Sequence, residues 1–489
     1  MVLRKFLNSE KGEKFPPEEF EEKFAKMKEW SAWYSADNSK LLDFYTSNLT
    51  YPNTNSGKFW SKIEQQEREE KVHIPLAKDI AKMSASLLFS EEPQMIIPQS
   101  QEENPKQDAL YTQQRLNEIT NKNNTYSNLV EAGETASALG GTYLKVVWDK
   151  EVKDVPLLRV AQADNAIPKF KFGYLVKVTF FKTVREEGNF KYRLLEVHSK
   201  GKIQNFLYKG NKTYLGEKIS LNSIEETKGM EQEIETGIDD ILVRYIPNDL
   251  PNRIWRGCNI GNSDLQGLES MLDSLDEVYS SWMREIRLSK AEKVVPESWL
   301  SYNENSGRLE YRDQMTYTGM NVPPDEMNEP KLIQPSMRES SYKNTCLHLI
   351  ERIVTSAGFA PQSFGLNIKG RAESGTALRV RERKSLKTKQ RKERYFKQPL
   401  QEILQLMLKV DKIHFNTKVN PDYMPRVKFA DSIADDPTEI SESLRDLEQA
   451  QAMSIEQKVK YLNPDWSDSE VLAEVNKIKE EKGLTDVGG

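Results

Sequence analysis

The sequence predicts an α+β protein that is mainly helical, and three observations support this class. Apolar residues recur every three or four positions in most segments, whereas residues 142–246 alternate in short apolar runs. The basic segment of residues 371–397 continues into an apolar helical stripe. With 489 residues the chain is too long for one hydrophobic core, so we expect two or more subdomains.

Charge is unevenly distributed along the chain. Residues 371–397 contain eleven Lys or Arg and three Asp or Glu, so this segment carries +8, whereas the whole chain carries −5. The remainder therefore carries −13, the difference between these two values. A general nucleic-acid coat needs many dispersed phosphate contacts, and the acidic balance argues against that class.

Cysteine usage and apolar patterning exclude further classes. Cys258 and Cys346 are the only cysteines, so we expect neither a disulfide framework nor a four-thiolate zinc site. No apolar run approaches the length of a membrane span, and no signal peptide begins the chain. We therefore expect synthesis in the cytosol and no membrane partner.

Residues 1–139 predict four helices. The first follows Pro16-Pro17 and continues to about Trp33, with four apolar residues on one face. The second covers His73 to Phe89, and the others lie at about 105–120 and 125–139. The apolar residues of the first helix are Phe20, Phe24, Met27 and Trp30.

Gly140-Gly141 marks a change of period. From there to residue 246, six apolar runs alternate with turn signals such as Glu187-Gly188-Asn189. This pattern predicts a β-meander over residues 142–246.

The clearest helical pattern covers residues 262–290. Ser263 and Gln266 fit a capping box at its start. The apolar seam consists of Leu265, Leu268, Leu272, Leu275, Tyr279, Trp282 and Ile286. The opposite face predicts a polar stripe of Ser270, Asp273, Ser274, Glu277, Ser281 and Arg284. A surface helix with a solvated polar face is the simpler alternative.

Two helices frame a small insert. Residues 291–338 contain short β-like runs, and a helix over 339–357 ends at Gly358, a residue type that favours helix termination. A long helix begins near Glu373 and continues to about Met407, and Pro399 is expected to kink or break it. Beyond Asp431 the tail predicts three short helices.

The basic segment predicts a charged stripe on the long helix. Its members are four residues apart: Arg379, Arg383, Lys387 and Arg391. Such a stripe is commonly solvated or paired with acidic neighbours. Binding to nucleic acid, or to the acidic face of a neighbouring subunit, remains open.

No sequence motif supports an enzyme, a metal site or a cofactor. Residues 370–377 have the outline of a phosphate-binding loop, but the lysine that should follow the second glycine is missing and no strand precedes the loop. The histidines match no catalytic pattern. They are His73, His198, His348 and His414.

Four stretches together resemble the portal (head-to-tail connector) proteins of long-tailed bacteriophages. They are His73–Phe89, Ser263 to Arg284, Gly358–Leu366 with Arg379–Arg383, and the segment that begins at Leu462-Asn463-Pro464. They occur in family order over nearly the whole chain. The Lys-rich residues 384–392 depart from the family pattern.

The resemblance implies a ring, typically of twelve subunits, at one capsid vertex with a central channel for double-stranded DNA. It assigns residues 1–261 to a wing of helices and β-meander, and 262–290 with 339–357 to the stem. Residues 291–338 would form a small α/β clip, 358–372 the tunnel loop, and 373–430 the kinked long helix of the wing. Residues 431–489 would form a helical crown.

The resemblance also implies partners and site residues. The ring would bind the terminase large subunit, which carries the motor ATPase, then a head-completion adaptor, with major capsid and scaffold proteins around the wing. The polar stripe of 262–290 would line the channel. The tunnel loop would present Asn367, Ile368, Lys369 and Arg371, and we predict that Lys369 and Arg371 contact DNA phosphates. The simpler alternative for the apolar part of the loop is that it covers a helix end; this part consists of Phe359, Phe364, Leu366 and Ile368.

Two other classes stay open at this point. One is a scaffold or minor capsid protein without a channel, and the other is a nucleic-acid enzyme or a non-catalytic subunit of a translocase. A virion location, after assembly in the host cytoplasm, follows from the portal interpretation alone.

Overall fold

The computed structural model describes most of the chain as a mixture of helix and sheet. The described residues are 13–46, 58–61, 71–102, 105–289, 292–296, 301–303, 308–310, 317–320, 331–333, 337–366, 375–429, 445–447, 449–450, 453–462 and 468–481. The chain divides into two compact units. The first contains residues 1–371 and 380–430, and the second contains residues 372–379 and 431–489.

The N-terminal helices pack through large aromatic side chains. Helix α1 covers Glu18–Tyr34 and α2 covers Asn38–Thr46, followed by a 3-10 helix at Phe59–Ser61. Trp30 and Trp33 are completely buried. The predicted apolar face of α1 is confirmed, since Phe20, Met27 and Trp30 are buried and Phe24 packs against the same core.

Three further helices follow close to their predicted positions. Helix α3 covers Leu76–Leu88, α4 covers Gln107–Asn123 and α5 covers Thr125–Leu139. The α3 helix begins three residues after His73 because Pro75 occupies the position before its first turn. The left-handed backbone of Asn124 separates α4 from α5.

Two sheets occupy the region predicted as one meander. One strand, β1 Gln94–Ile96, precedes this region. The strands of the region are β2 Gly141–Val147, β3 Leu157–Gln162, β4 Ala166–Lys171, β5 Tyr174–Glu187, β6 Phe190–Ser199, β7 Lys202–Gly210, β8 Glu217–Ile219, β9 Glu233–Glu235 and β10 Val243–Pro247. Strands β4 to β8 are hydrogen-bonded in chain order, as the meander prediction requires, and β9 pairs with β7. The prediction is wrong for β2, β3 and β10, which form a separate sheet in the order β10-β2-β3.

Helix α6 covers Glu269–Leu288, so it begins later than the predicted residue 262. The predicted capping box is absent, because the backbone N–H of Gln266 donates to the Ser263 carbonyl at 3.2 Å and not to the Ser263 hydroxyl. That hydroxyl accepts from the backbone N–H of Leu265 at 3.0 Å and donates to the carbonyl of Ala138 at 2.7 Å. Gly267 has a φ of +79°, a left-handed conformation that a right-handed helix cannot contain. The turn at Gly267 therefore delays the helix.

Helix α7 covers Glu339–Ala357, in agreement with the prediction, and Gly358 ends it with a φ of +100°. The C-terminal end of α6 contacts the N-terminal end of α7, so the two form an antiparallel hairpin. Between them lie β11 Glu292–Pro296, β12 Ser301–Asn303, β13 Arg308–Glu310, β14 Tyr317–Met320 and β15 Lys331–Ile333. The described residues of this insert form strands only, in the orders β14-β11-β15 and β12-β13.

Helix α8 covers Gly375–His414 and contains Pro399. The helix continues beyond the proline, so the alternative that Pro399 breaks it is wrong. Strand β16, Arg426–Lys428, follows and pairs antiparallel with β1. The α8 segment from Phe396 to Val410 enters a hydrophobic core that it shares with α4, α5, β2 and β10. A larger core joins α1, α2, α3, the β4–β7 sheet, the start of α6 and α7.

The second unit contains α9, Ile455–Leu462, and α10, Asp468–Glu481. The predicted cap is present, because the backbone N–H of Gln457 donates to the Ser454 hydroxyl at 3.2 Å. Val459 of α9 packs against Val471 and Val475 of α10. The first predicted tail helix, after Asp436-Pro437, begins outside the described residues.

Candidate functional site

Helix α6 presents most of its predicted polar stripe to solvent. Five of the six predicted residues are exposed in the subunit: Ser270, Ser274, Glu277, Ser281 and Arg284. Asp273 is the exception, since only 6% of it is exposed. The prediction that Asp273 belongs to the exposed stripe is therefore wrong.

Asp273 is buried because it binds the segment between α2 and α3. Its carboxylate accepts hydrogen bonds from the backbone N–H of Phe59 at 2.9 Å and of Trp60 at 3.4 Å. Burial raises the pKa of Asp273, and the two backbone donors act in the opposite direction. Next to it, Ser270 accepts a hydrogen bond from the Lys58 ammonium at 3.2 Å.

Asp273 is one of three buried acids on the side of α6 that faces the protein. Glu269 accepts from the Trp30 indole at 2.9 Å. Asp276 accepts from the Trp60 indole at 3.1 Å and from the backbone N–H of Ile74 at 2.9 Å. These acids fix α6 to the N-terminal segments, and their three-four spacing is the sequence signal that would have identified them.

His73 completes the group around Asp276. Its Nδ1 lies 2.7 Å from the Asp276 carboxylate, and its Nε2 has no hydrogen-bond partner among the described residues. The ring packs near Trp33 and Trp60. This histidine fixes the chain before α3 to α6.

An ion pair joins the two helices at the far end of the hairpin. The Arg338 guanidinium lies 3.0 Å from the Glu285 carboxylate, and the backbone N–H of Arg338 donates to the same carboxylate at 3.1 Å. Hydrogen bonds from Arg338 and Tyr342 lower the pKa of Glu285 to about 2. The rings of Trp282 and Tyr342 stack with an interplanar angle of 3°.

The start of the predicted tunnel loop is attached to α8. The backbone N–H of Ala360 donates to the Ser385 hydroxyl at 2.8 Å, and the Thr388 hydroxyl donates to the carbonyl of Gly358 at 2.6 Å. Phe359 is 1% exposed. The burial of Phe359 agrees with the simpler alternative, that the apolar part covers a helix end. The other predicted loop residues, Asn367, Ile368, Lys369 and Arg371, lie outside the described residues.

The basic segment is divided between solvent and the protein interior. Arg383 and Lys387 of the predicted stripe are exposed, and Arg391 lies 3.3 Å from the Asp249 carboxylate. Arg379 belongs to the part of α8 whose side chains are not described. Pairing with an acidic neighbour, one of the alternatives drawn from the sequence, describes Arg391.

Lys392 is buried in a polar cluster that the sequence did not reveal. Its ammonium donates to the Ser84 hydroxyl at 2.6 Å, to the side-chain amide oxygen of Asn248 at 2.8 Å and to the Asp264 carboxylate. Burial lowers the pKa of Lys392, whereas Asp264 acts to raise it. The cluster connects α3, α8 and the segment before α6.

Two possible roles find no residues in the described part of the chain. Within it, no group of His, Cys, Asp and Glu could hold a metal ion. No described helix has the length and the apolar character needed to cross a bilayer.

Comparison with known proteins gives one match over nearly the whole chain. The family model described as phage portal protein, SPP1 Gp6-like, matches residues 14–486. No curated protein matches the chain.

Two solved structures are similar over most of their length. The first is the neck of an empty GTA particle, with 11% identity, 80% of this chain and 89% of that chain covered, and a TM-score of 0.39. The second is the virion of a native gene transfer agent particle, with 11% identity, 81% and 91% covered, and a TM-score of 0.39.

Proposed function

Because the chain belongs to the SPP1 Gp6-like family of phage portal proteins, we propose that it forms a ring-shaped channel at one capsid vertex. Double-stranded DNA would be packaged and ejected through this channel, and the ring would join head to tail. The observation that carries the proposal is the family match over residues 14–486, which includes every element described above.

The chemistry of the α6 stripe supports a channel lining. DNA carries one negative charge for about every 1.7 Å of its axis, so a uniformly basic channel would retain it through counterion release. A conduit needs weak contacts that form and break repeatedly. Three serines, Glu277 and one arginine provide such a surface, and they are exposed in the subunit. We propose that Ser270, Ser274, Glu277, Ser281 and Arg284 face the bore.

Exposed apolar residues on the hairpin support a ring. Ile286 is 41% exposed and Leu288 is 66% exposed at the end of α6, and Met337, two residues before α7, is 53% exposed. Exposed apolar residues at the end of a helix hairpin are candidates for contact with another subunit. We propose that the corresponding helices of neighbouring subunits cover them.

The division of labour along the chain is part of the proposal. Residues 1–261 and 373–430 would form the wing, 262–290 and 339–357 the stem, and 291–338 the clip. The loop 358–372 would enter the channel, and residues 431–489 would form the crown. The ring, of twelve subunits by family analogy, would bind the terminase large subunit, then the head-completion adaptor, and major capsid and scaffold proteins.

Negative-stain images of the purified full chain test the proposal. We expect rings with a central hole, and mass photometry should give one closed oligomer in place of a distribution. Particles without a hole would favour a scaffold or minor capsid protein. A monomer at every salt and protein concentration would contradict the proposal.

A further inference from the structure

The turn between β4 and β5 carries an exposed aromatic pair. Phe172 is 90% exposed and Tyr174 is 73% exposed, the two most exposed large apolar residues of the described chain. Phe172 also has a φ of +51°, a conformation that is uncommon for a bulky side chain. A strained turn that presents aromatic rings to water points to a docking element.

The same hairpin is strongly basic in an acidic protein. Residues 166–183 contain four lysines and no Asp or Glu. Lys169 and Lys171 are exposed, and neither forms an ion pair with any residue that the structure describes. The Lys171 ammonium lies 5.7 Å from the centre of the Phe172 ring. We call residues 169–177 the basic tip.

The opposite edge of the same sheet is acidic. Residues 225–240 contain seven Asp or Glu and one lysine. Glu226 and Glu231 are exposed and form no ion pair with other described residues, although Glu233 is paired with Lys202. Met230 between them is 37% exposed and offers an apolar, polarisable contact for an aromatic ring. We call residues 225–235 the acidic edge.

Strand pairing relates the positions of the two patches along the strands. Lys177 of β5 pairs with Ser199 at the end of β6, and Lys202 at the start of β7 pairs with Glu235 of β9. Lys169 and Glu235 therefore lie in one row on opposite edges of the sheet. The turn at Phe172 extends beyond this row, whereas Glu231, beside Asn205, lies on the other side of the row. In a cyclic ring each subunit uses two different patches, one toward each neighbour. A rotation axis inclined to the strands would place the two patches at the same height along the axis, as a contact between neighbours in a ring requires.

We infer that the basic tip of one subunit docks on the acidic edge of the next copy of the chain. Phe172 and Tyr174 would contact Met230, while Lys169 and Lys171 would contact Glu226 and Glu231. Pro168 and the lysines of β4 disfavour the addition of a further strand to this edge, so side chains make the contact. The inference rests on the proposed ring and adds which surfaces close it.

Charge reversal with mixing tests the inference. The tip variant carries Lys169→Glu and Lys171→Glu, and the edge variant carries Glu226→Lys and Glu231→Lys. Each variant alone has like charges at the contact, and we expect half-assembly to need at least about tenfold more protein than the wild type. In a 1:1 mixture both contacts of an alternating ring are again complementary, so rings should return.

The control variant reverses the charge of two lysines outside the basic tip. It carries Lys82→Glu and Lys412→Glu, two exposed lysines on α3 and α8, and it should form rings as the wild type does. Rings in both single-patch variants at the wild-type concentration would overturn the inference, as would a mixture that fails to restore them. A tip variant that forms normal rings but loses nucleic-acid retention would assign the tip to DNA instead. A wild type without rings would contradict the proposed function itself.

Discussion

At the scale of single residues, buried ionic groups connect segments that are distant in sequence. Lys392 and Asp264 are separated by 128 positions, and their side chains are only 3% and 8% exposed. A buried ion pair is costly to desolvate, and removing one partner leaves the other charge uncompensated. The cluster therefore makes the position of α8 strongly dependent on the segment before α6.

Replacing Lys392 should destabilise the subunit. We expect Lys392→Met to lower the free energy of unfolding by about 3 to 5 kcal/mol, because Asp264 stays buried without its cation. Denaturant unfolding measures the change. Lys397→Met, which removes an exposed lysine from the same helix, should change the value by less than about 0.5 kcal/mol. Equal effects of the two substitutions would contradict the role of the cluster.

The lowered pKa of Glu285 predicts that the stability of the fold depends on pH through the end of the α6–α7 hairpin. Its pKa is lowered to about 2 in the folded chain from an ordinary value of 4.5. The charged carboxylate therefore stabilises the fold fully above about pH 4.5, and this contribution decreases as the pH falls toward 2. The difference in melting temperature between wild type and Glu285→Gln should be constant from pH 7 to 5 and shrink below that. A constant difference down to pH 3 would exclude this assignment.

At the scale of elements, the sequence predicts the structure correctly where local chemistry decides it. The bounds of α7 follow from its periodicity and from Gly358, which adopts the left-handed conformation that ends helices. The prediction for the start of α6 is wrong because Gly267 adopts a left-handed conformation that a right-handed helix cannot contain. A capping signal in the sequence does not reveal the backbone conformation of the residues that follow it.

The same limit applies to the polar stripe and to the sheets. Five stripe residues are exposed as their spacing predicts. Asp273 is buried because its carboxylate accepts hydrogen bonds from the backbone N–H groups of Phe59 and Trp60. Strand β10 pairs with β2 across about a hundred residues, and alternation of apolar residues carries no information on which strands pair. The sequence therefore predicts the positions of helices and strands better than it predicts which elements pair or pack with one another.

The attachment of the loop to α8 yields an element-scale prediction. We expect Ser385→Ala with Thr388→Val to speed hydrogen exchange at residues 358–366, because both hydroxyls hold the backbone there. Two hydrogen bonds at about 1 kcal/mol each correspond to roughly thirtyfold faster exchange. Thr345→Val removes a hydroxyl that binds within exposed α7 and should leave this loop unchanged. Unaltered exchange in the double variant would show that packing of Phe359 alone holds the loop.

At the scale of the whole molecule, the distribution of charge bears on how the proposed channel would contact DNA. The strongly basic residues 371–397 belong to a chain whose remainder is acidic. Lys392 and Arg391 of this segment already bind acids of the same subunit. Its capacity for DNA is therefore smaller than its sequence indicates, and a sparse set of cations at the bore is consistent with a conduit that must release DNA.

The tunnel loop is the place where we expect those cations to act. Lys369 and Arg371 follow the attached part of the loop, and a ring multiplies two weak cations by the number of subunits, so contacts can be passed on as DNA advances. We predict that Lys369→Ala with Arg371→Ala leaves ring formation intact and reduces packaging and DNA retention, with the larger loss at low salt, where phosphate contacts are strongest. The matched control, Arg383→Ala with Lys387→Ala, removes two charges from exposed residues of α8 and should retain DNA as the wild type does. Retention that is unchanged in the loop variant at low and high salt would show that the loop does not contact DNA. Loss of DNA retention in the control variant instead would assign the DNA contact to the basic stripe of α8.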